Sequence, residues 1–429
     1  MPNKSHSSEL VITCVTPYWS IFMPFTKHHA VPILLSFVAL LTSQSLIHRT
    51  AAHTAGASQK SNVETIRFAS FNISFYRSEA GQLKRELSDG NSESPKKIAE
   101  IIQRIRPDVI LLNEFDYDSA GKGIEGFQNN YLAVSQNGNP PIQYRFSFSA
   151  AVNTGVDSKL DLDGDGVLGT ANDAFGFGRY PGQYGMVVLS KFEIVEPDIR
   201  TFRNFLWKDM PARLVPYKQN KQPFYAPKIM EHFRLSSKSH WDIPIRAQGK
   251  TIHFLAAHPT PPVFDGPEDR NGCRNHDEIR FFADYITEGK SDYIYDDQGR
   301  YGGLGQDELF VLAGDMNADA NDGDSTNNAA SLLTKHTRIN DSTPPVSSGG
   351  KFYAEIQGGV NVDQKGNAAW DTSDFGDSNV GNLRLDYCLP SSNFKIESSG
   401  VFWPKPPEAG SDLIDATDHR LVWLDLRID

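Results

Sequence analysis

Short apolar runs that stop at a polar residue recur along the chain. IRFASFN ends at Asn72, DVILLNE at Glu114, TIHFLAAH at His258, and LFVLAGDMN at Asp315 and Asn317. LRLDYCL carries Asp386 inside the run, and TDHRLVWLDL places Asp418 and His419 just before it. Each apolar part is brief and rich in Val, Ile, Leu and Phe, which predicts a buried strand. Between these runs, SPKKIAEIIQRIRP sets Ile98, Ile101, Ile102 and Ile105 at helical spacing, with Ser94 as cap, Pro95 in the first turn and Pro107 as stop. RNHDEIRFFADYI does the same with Ile279, Phe282, Ala283 and Ile286. Buried strands alternating with amphipathic helices predict an α/β layered domain. No internal repeat is visible, which argues against a solenoid or propeller.

The stretch from Glu114 to His258 is far longer than a crossover needs. GQYGMVVLSKFEI, from Gly182, predicts a strand returning to the sheet, and FRLSSKSHWDIPIR, from Phe233, predicts a hairpin. Residues 145–181 and 197–232 then read as loop elaborations of one domain. The first holds DLDGDGVLGTAND, in which Asp161, Asp163, Asp165, Gly166 and Val167 follow the order of an EF-hand calcium loop. Asn172 stands where that loop usually ends in Glu, and Asp173 follows. The flanks are rich in Gly and lack a helical period, so Ca²⁺ would stiffen a loop rather than open a helix pair. Aspartates this crowded repel one another without a cation; the alternative is a solvated acidic turn.

Composition narrows the setting. With 39% hydrophobic and 22% charged residues the 429-residue chain is globular. Near the N-terminus, Lys27, His28 and His29 precede the apolar segment Ala30–Leu41, and small residues follow at 50–57. That order predicts an export signal, with an uncleaved anchor or a plain tail as alternatives, and Met23 as a second possible start. The expectation is that residues 1–57 precede a catalytic domain over 58–429 that is secreted, periplasmic or at the cell surface, without a membrane span and monomeric. The formal charge is −11, and residues 1–57 hold more basic than acidic groups, so the domain alone is more acidic still. This excludes a basic face that clasps nucleic acid and leaves room for metal-assisted contact with a phosphate. Beyond the signal only Cys273 and Cys388 remain, as a bridge or as two separate thiols.

Carboxylates, amides and imidazoles at strand ends are the inventory of phosphoester hydrolysis. A phosphate repels an incoming hydroxide, so the site needs a cation on a non-bridging oxygen, a base for water and a stabiliser for the leaving oxygen. RFASFN, PDVILLNEF, AAHPTPP, VLAGDMNA, RLDYCLP and TDHRLVWLDL, in this order, resemble the endonuclease/exonuclease/phosphatase superfamily. The resemblance implies a four-layer α/β sandwich, two packed mixed β-sheets flanked by helices. It also implies that Glu114, with Asn72 and Asp418, holds Mg²⁺ or Mn²⁺. Asp315 would orient or deprotonate water, Asn317 would bond the developing phosphorane, and His419, oriented by Asp386, would contact the phosphate or share the base role. His258 would stabilise or protonate the leaving group. Many members carry an acid or a bulky residue where this chain has Ser74, so one catalytic metal is expected. Arg270, Arg274 and Asn275, placed before a helix, are candidate contacts to a phosphate-ester substrate, either nucleic acid or a small or lipid phosphate. Arg179, Lys238, His240, Arg270 and Arg274 are together candidates to line the site, with solvated surface charge as the commoner reading of any one of them. The competing reading is a calcium-stabilised binding or adhesion module on the same fold, which would have no need of the complete polar set.

Overall fold

The computed structural model describes residues 64–428, so the expected export signal lies outside the described residues. No helix among the described residues is long and apolar enough to cross a membrane. In chain order the strands are β1 (Ile66–Asn72), β2 (Val109–Asn113), β3 (Phe146–Phe148), β4 (Met186–Ser190), β5 (Glu193–Ile194), β6 (Arg200–Thr201) and β7 (His240–Ala247). They continue with β8 (Lys250–Ala257), β9 (Leu309–Asp315), β10 (Ser373–Asp374), β11 (Asn382–Leu383), β12 (Asp386–Pro390), β13 (Phe394–Val401) and β14 (Val422–Ile428). One sheet has the order β13-β14-β1-β2-β4-β3; the other has β12-β9-β8-β7-β5, with β6 also on β7. The β1–β2 and β8–β9 pairs are parallel and their neighbours antiparallel, so both sheets are mixed.

Alternation along each strand builds the layers. In β1 and β2, Phe68, Val109 and Leu111 enter the core between the sheets, while Ala69, Phe71, Ile110 and Leu112 face the outer helical layer. In β8 and β9, Ile252, Phe254, Val311 and Ala313 face inward, and Leu255, Phe310 and Leu312 face the opposite helical layer. Phe68 and Phe254 stack across the interface with centroids 5.9 Å apart. A period of two that is apolar on both faces has this consequence: each strand is covered twice, giving a four-layer α/β sandwich.

The helix Glu93–Ile105 buries Ile98, Ile101 and Ile102 on the outer face of the first sheet. Its N-cap is Ser92 and not Ser94, and the chain leaves it through Arg106 in the left-handed region ahead of Pro107. The second long helix spans Arg270–Tyr285, beginning before the apolar period does. FRLSSKSHWDIPIR does not form a hairpin by itself; β7 pairs with β8 around Gln248 and Gly249. The elaboration at 197–232 is more than a loop. Phe202, Phe205, Trp207 and Tyr225 join Phe281, Phe282 and Tyr285 in one core, and Trp207 Nε1 donates to Asp277 Oδ2 at 2.7 Å. Cys388 sits between the sheets and Cys273 in the core beneath the second helix, both free and buried.

Candidate active site

The polar residues that end β1, β2, β8 and β9 come to one edge of the sandwich. Three residues at or just after these strand ends adopt positive φ: Ser74 at 51°, Glu114 at 62° and Asn317 at 50°. Non-glycine residues bear a cost of roughly 1 kcal/mol there, so the turns are held by surrounding structure and aim side chains into a cleft. The cleft has a volume of about 1260 Å³ and is lined by Glu114, His258, Asp315, Asn317, Asp418 and His419. Asn72 and Asp386 lie buried beneath it.

Asp315 is the hub. Its Oδ2 accepts Asn72 Nδ2 at 3.0 Å and faces His258 Nε2 at 3.4 Å and His419 Nε2 at 3.6 Å. Its Oδ1 accepts the backbone N–H of Asn317 at 2.9 Å, and Asn317 Nδ2 reaches the Pro259 carbonyl at 3.1 Å. Behind His419, Asp386 Oδ2 lies 2.7 Å from Nδ1 and also accepts the Thr372 hydroxyl at 3.0 Å. Burial opposes the charge on His419, but Asp386 and Asp315 outweigh it and hold the imidazolium up to about 10. His258 is the opposite case: burial, with Lys238 and His419 nearby, pushes it well below the ordinary value, and its Nδ1 has no partner among the described residues. Two histidines facing one carboxylate thus differ in charge because only one has an acid behind it.

Asp315, Asp386 and His419 bring ligand atoms within 4.8 Å of one another, a spacing that a cation could also use. The short Asp386–His419 bond makes this group an ion pair first. Glu114 and Asp418 also line the cleft with oxygen donors, and the Asn72 amide oxygen accepts Ser74 N–H at 3.2 Å. Burial raises Glu114 to about 7, opposed by His419 and Lys238, so the protein alone compensates its charge incompletely. A second oxygen donor, Asp418, is exposed in the same cleft and accepts the Ser74 hydroxyl at 3.3 Å. Oxygen donors of this kind are of the chemistry that suits a divalent cation.

Several groups carried little usable signal in the sequence. Lys238 is not solvated: it is 6% exposed, with Nζ 3.4 Å from the Pro259 carbonyl, between Glu278, Glu114 and Asp315. Glu278, on the second long helix, binds Ser237 N–H at 2.6 Å and Thr260 N–H at 2.7 Å, fixing the loops that carry Lys238 and His258. Tyr76 and Tyr184 pack at 4.7 Å and form an aromatic wall beside Glu114. The alternating polar and apolar signal that marks strands is blind to all of these, because they lie on loops or on a helix's packed face.

Of the expected substrate contacts, two are otherwise occupied. Arg274 is inside the helix and donates to the Leu235, Phe175 and Arg234 carbonyls; Asn275 bridges the Thr260 and Met316 carbonyls. Their donors hold loops together, which corrects the reading of them as free phosphate contacts at a helix entrance. Arg270 lines the cleft but is paired with Glu268. In the calcium-like loop, Asp161, Asp163 and Asp165 converge within 4.8 Å, and Val167 is exposed. Asp173 is fully buried and accepts Leu162 N–H, Thr170 N–H and the Thr170 hydroxyl, so it closes the loop and is not a further free ligand. Asn172, with Leu162 and Asp163, lines the cleft, so the loop forms part of its rim.

Two stacked mixed sheets carry this polar cluster at one edge. The chain belongs to the Endonuclease/Exonuclease/phosphatase family, whose profile matches residues 69–419. Members of this family are generally phosphoester hydrolases. Comparison with curated proteins gives no match. Among solved structures, an endonuclease/exonuclease/phosphatase from Beutenbergia cavernae is similar at 16% identity and a TM-score of 0.42, over 85% of this chain and 72% of that one. Sphingomyelinase C from Streptomyces griseocarneus is similar at 14% identity, TM-score 0.42, over 84% and 99%. A mannosyl-6-phosphatase from Bacteroides thetaiotaomicron is similar at 12% identity, TM-score 0.41, over 84% and 99%.

Proposed function

We propose that the protein is an exported, divalent-metal-dependent phosphoesterase. The observation that carries this reading is the meeting of Asn72, His258 and His419 on Asp315 Oδ2. Asn72, Glu114 and Asp418 would hold Mg²⁺ or Mn²⁺, which when bound offsets charge on a non-bridging phosphate oxygen. Asp315 accepts the proton of the attacking water. His419, held cationic by Asp386 and Asp315, is a poor base and a good phosphate contact, which favours Asp315 in the base role. Asn317 and Lys238 face the developing negative charge. His258, neutral and with no second acid behind its Nδ1, donates a hydrogen bond to the leaving oxygen rather than a proton.

The cleft wall beyond Asn317 carries Asp319, Asp322, Asp324 and Asp363. A polyanion running along it would be repelled, so small or lipid phosphate esters come ahead of nucleic acid as substrates. The loop at 161–173 takes Ca²⁺ as a structural ion, supplied outside the cell. The test replaces Asp315 or His419 by Ala and follows Mg²⁺-dependent release from bis-p-nitrophenyl phosphate. Loss of turnover in both variants is expected, and unchanged turnover in both overturns the mechanism. A parallel panel of DNA, RNA, lipid head groups and inositol phosphates then ranks substrates.

A further inference from the structure

The segment just before β10 touches the site from behind. Thr372 is 1% exposed, and its hydroxyl oxygen accepts two backbone N–H groups, from Leu385 at 3.0 Å and Asp386 at 2.8 Å. With both lone pairs engaged, its proton has one place to go, the Asp386 Oδ2 at 3.0 Å. That oxygen is the one bonded to His419 Nδ1. The other oxygen, Oδ1, is buried with no partner among the described residues. Asp386 therefore receives its two side-chain donors on one atom, and one of them is Thr372.

The backbone around Thr372 ties the same parts together. Its N–H bonds the Leu383 carbonyl at 2.9 Å, its carbonyl accepts Arg420 N–H at 2.7 Å, and Ser373 bridges to His419. Asp374 N–H meets the Asp418 carbonyl at 2.9 Å. This short segment thus links the strand carrying Asp386 to the turn carrying Asp418 and His419.

We propose that Thr372 is a positioning residue of this site, whose hydroxyl selects which oxygen of the Asp386 carboxylate meets His419 Nδ1. Building on the phosphoesterase reading above, it acts through Asp386 and touches no substrate. Without the hydroxyl, either oxygen of Asp386 can serve His419 and the buried carboxylate loses a donor to its charged form. The His419 ring is then less well oriented, and turnover falls.

The experiment compares the full chain with Thr372→Val, which keeps the shape and the residue's own backbone N–H and carbonyl bonds but also gives up the hydroxyl's contacts to the Leu385 and Asp386 N–H groups, and with Thr372→Ser, which keeps the hydroxyl. Turnover of bis-p-nitrophenyl phosphate is measured with thermal melting and with the NMR signals of the His419 ring at fixed pH. Val is expected to lower kcat about tenfold with little change in KM, while Ser stays near wild type. The His419 ring signals move in Val and not in Ser. Wild-type kcat and ring signals in Val overturn the proposal. So do equal losses in Val and Ser that track a lower melting temperature, the mark of a role in folding alone. If Val does not fold, Thr372→Ala carries the same expectations. Should the wild type cleave no phosphoester, the functional reading fails, while the His419 ring signals at fixed pH still decide the role of Thr372.

Discussion

Replacing Glu278 by Gln perturbs the cleft without touching any atom that meets substrate. The carboxylate is 1% exposed and accepts Ser237 N–H at 2.6 Å, the Ser237 hydroxyl at 3.0 Å and Thr260 N–H at 2.7 Å. A carboxamide has one accepting oxygen, so its NH₂ end must face a donor already buried there. A hydrogen bond to a charged group contributes about 1.5–3 kcal/mol, and a buried donor left unpaired costs about 1–3 kcal/mol. Destabilisation of about 3 kcal/mol is expected, a large part of a stability of roughly 5–15 kcal/mol. With a urea dependence near 3 kcal/mol per molar, the midpoint falls by about 1 M. Activity should fall more than stability requires, because Ser237 precedes Lys238 and Thr260 lies just past His258. Glu278 also supports the Lys238 cation, whose burial pulls its pKa down. Displacement by about 1 Å is enough for a loss on the order of 100-fold in turnover under fully folded conditions. The assay pairs urea unfolding with turnover in buffer. A Gln variant with wild-type midpoint and turnover would refute the claim that this helix holds the two loops.

Asp371 gives a pH test. It is 5% exposed, its Oδ2 has no hydrogen-bond partner among the described residues, and burial, then Asp319 and Asp322, raises it from 3.8 to about 8. The folded state holds this proton more tightly than the unfolded one, so the contribution to stability is complete below pH 3.8 and lost as pH rises to about 8. Between those values wild type loses up to about 1.4 kcal/mol per pH unit from this group, and Asp371→Asn should flatten that slope in urea unfolding at pH 5, 7 and 9; an identical slope argues against a buried neutral acid. For the loop at 161–173, millimolar Ca²⁺ should raise the melting temperature and slow proteolysis within residues 150–180, and Asp163→Asn should weaken both effects. Equal melting with Ca²⁺ and with EGTA would show an ordinary acidic turn.

What the sequence could reveal follows from where each residue sits. Asn72, Glu114, His258, Asp315 and His419 were legible because each interrupts or borders a buried strand, and an ordered run of such interruptions is rare by chance. The two-faced apolar strands likewise announced a layered α/β fold. Thr372 was not legible, and Lys238 only as one of several basic residues that could line the site, since a Lys after SS and a Thr within DTSD look like surface chemistry until tertiary packing buries them. Arg274 and Asn275 misled for a related reason: their polarity suggested solvent, yet the helix starts at Arg270 and turns them inward. Local pattern reports which face of an element is apolar; it does not report which polar groups are spent on neighbouring backbone.

The aromatic elaboration around Phe202, Phe205, Trp207 and Tyr225 bears on how this protein could be reshaped. Deleting residues 203–232 to widen the cleft would look harmless on a topology diagram. It would strip the cover from Phe281 and Phe282 on the helix below, both at most 1% exposed. A truncated protein would present a sticky, aromatic face and self-associate before its broader specificity could be assayed. Access to the site is better altered by point changes along the rim, such as at Phe177 or Phe264, which already face water.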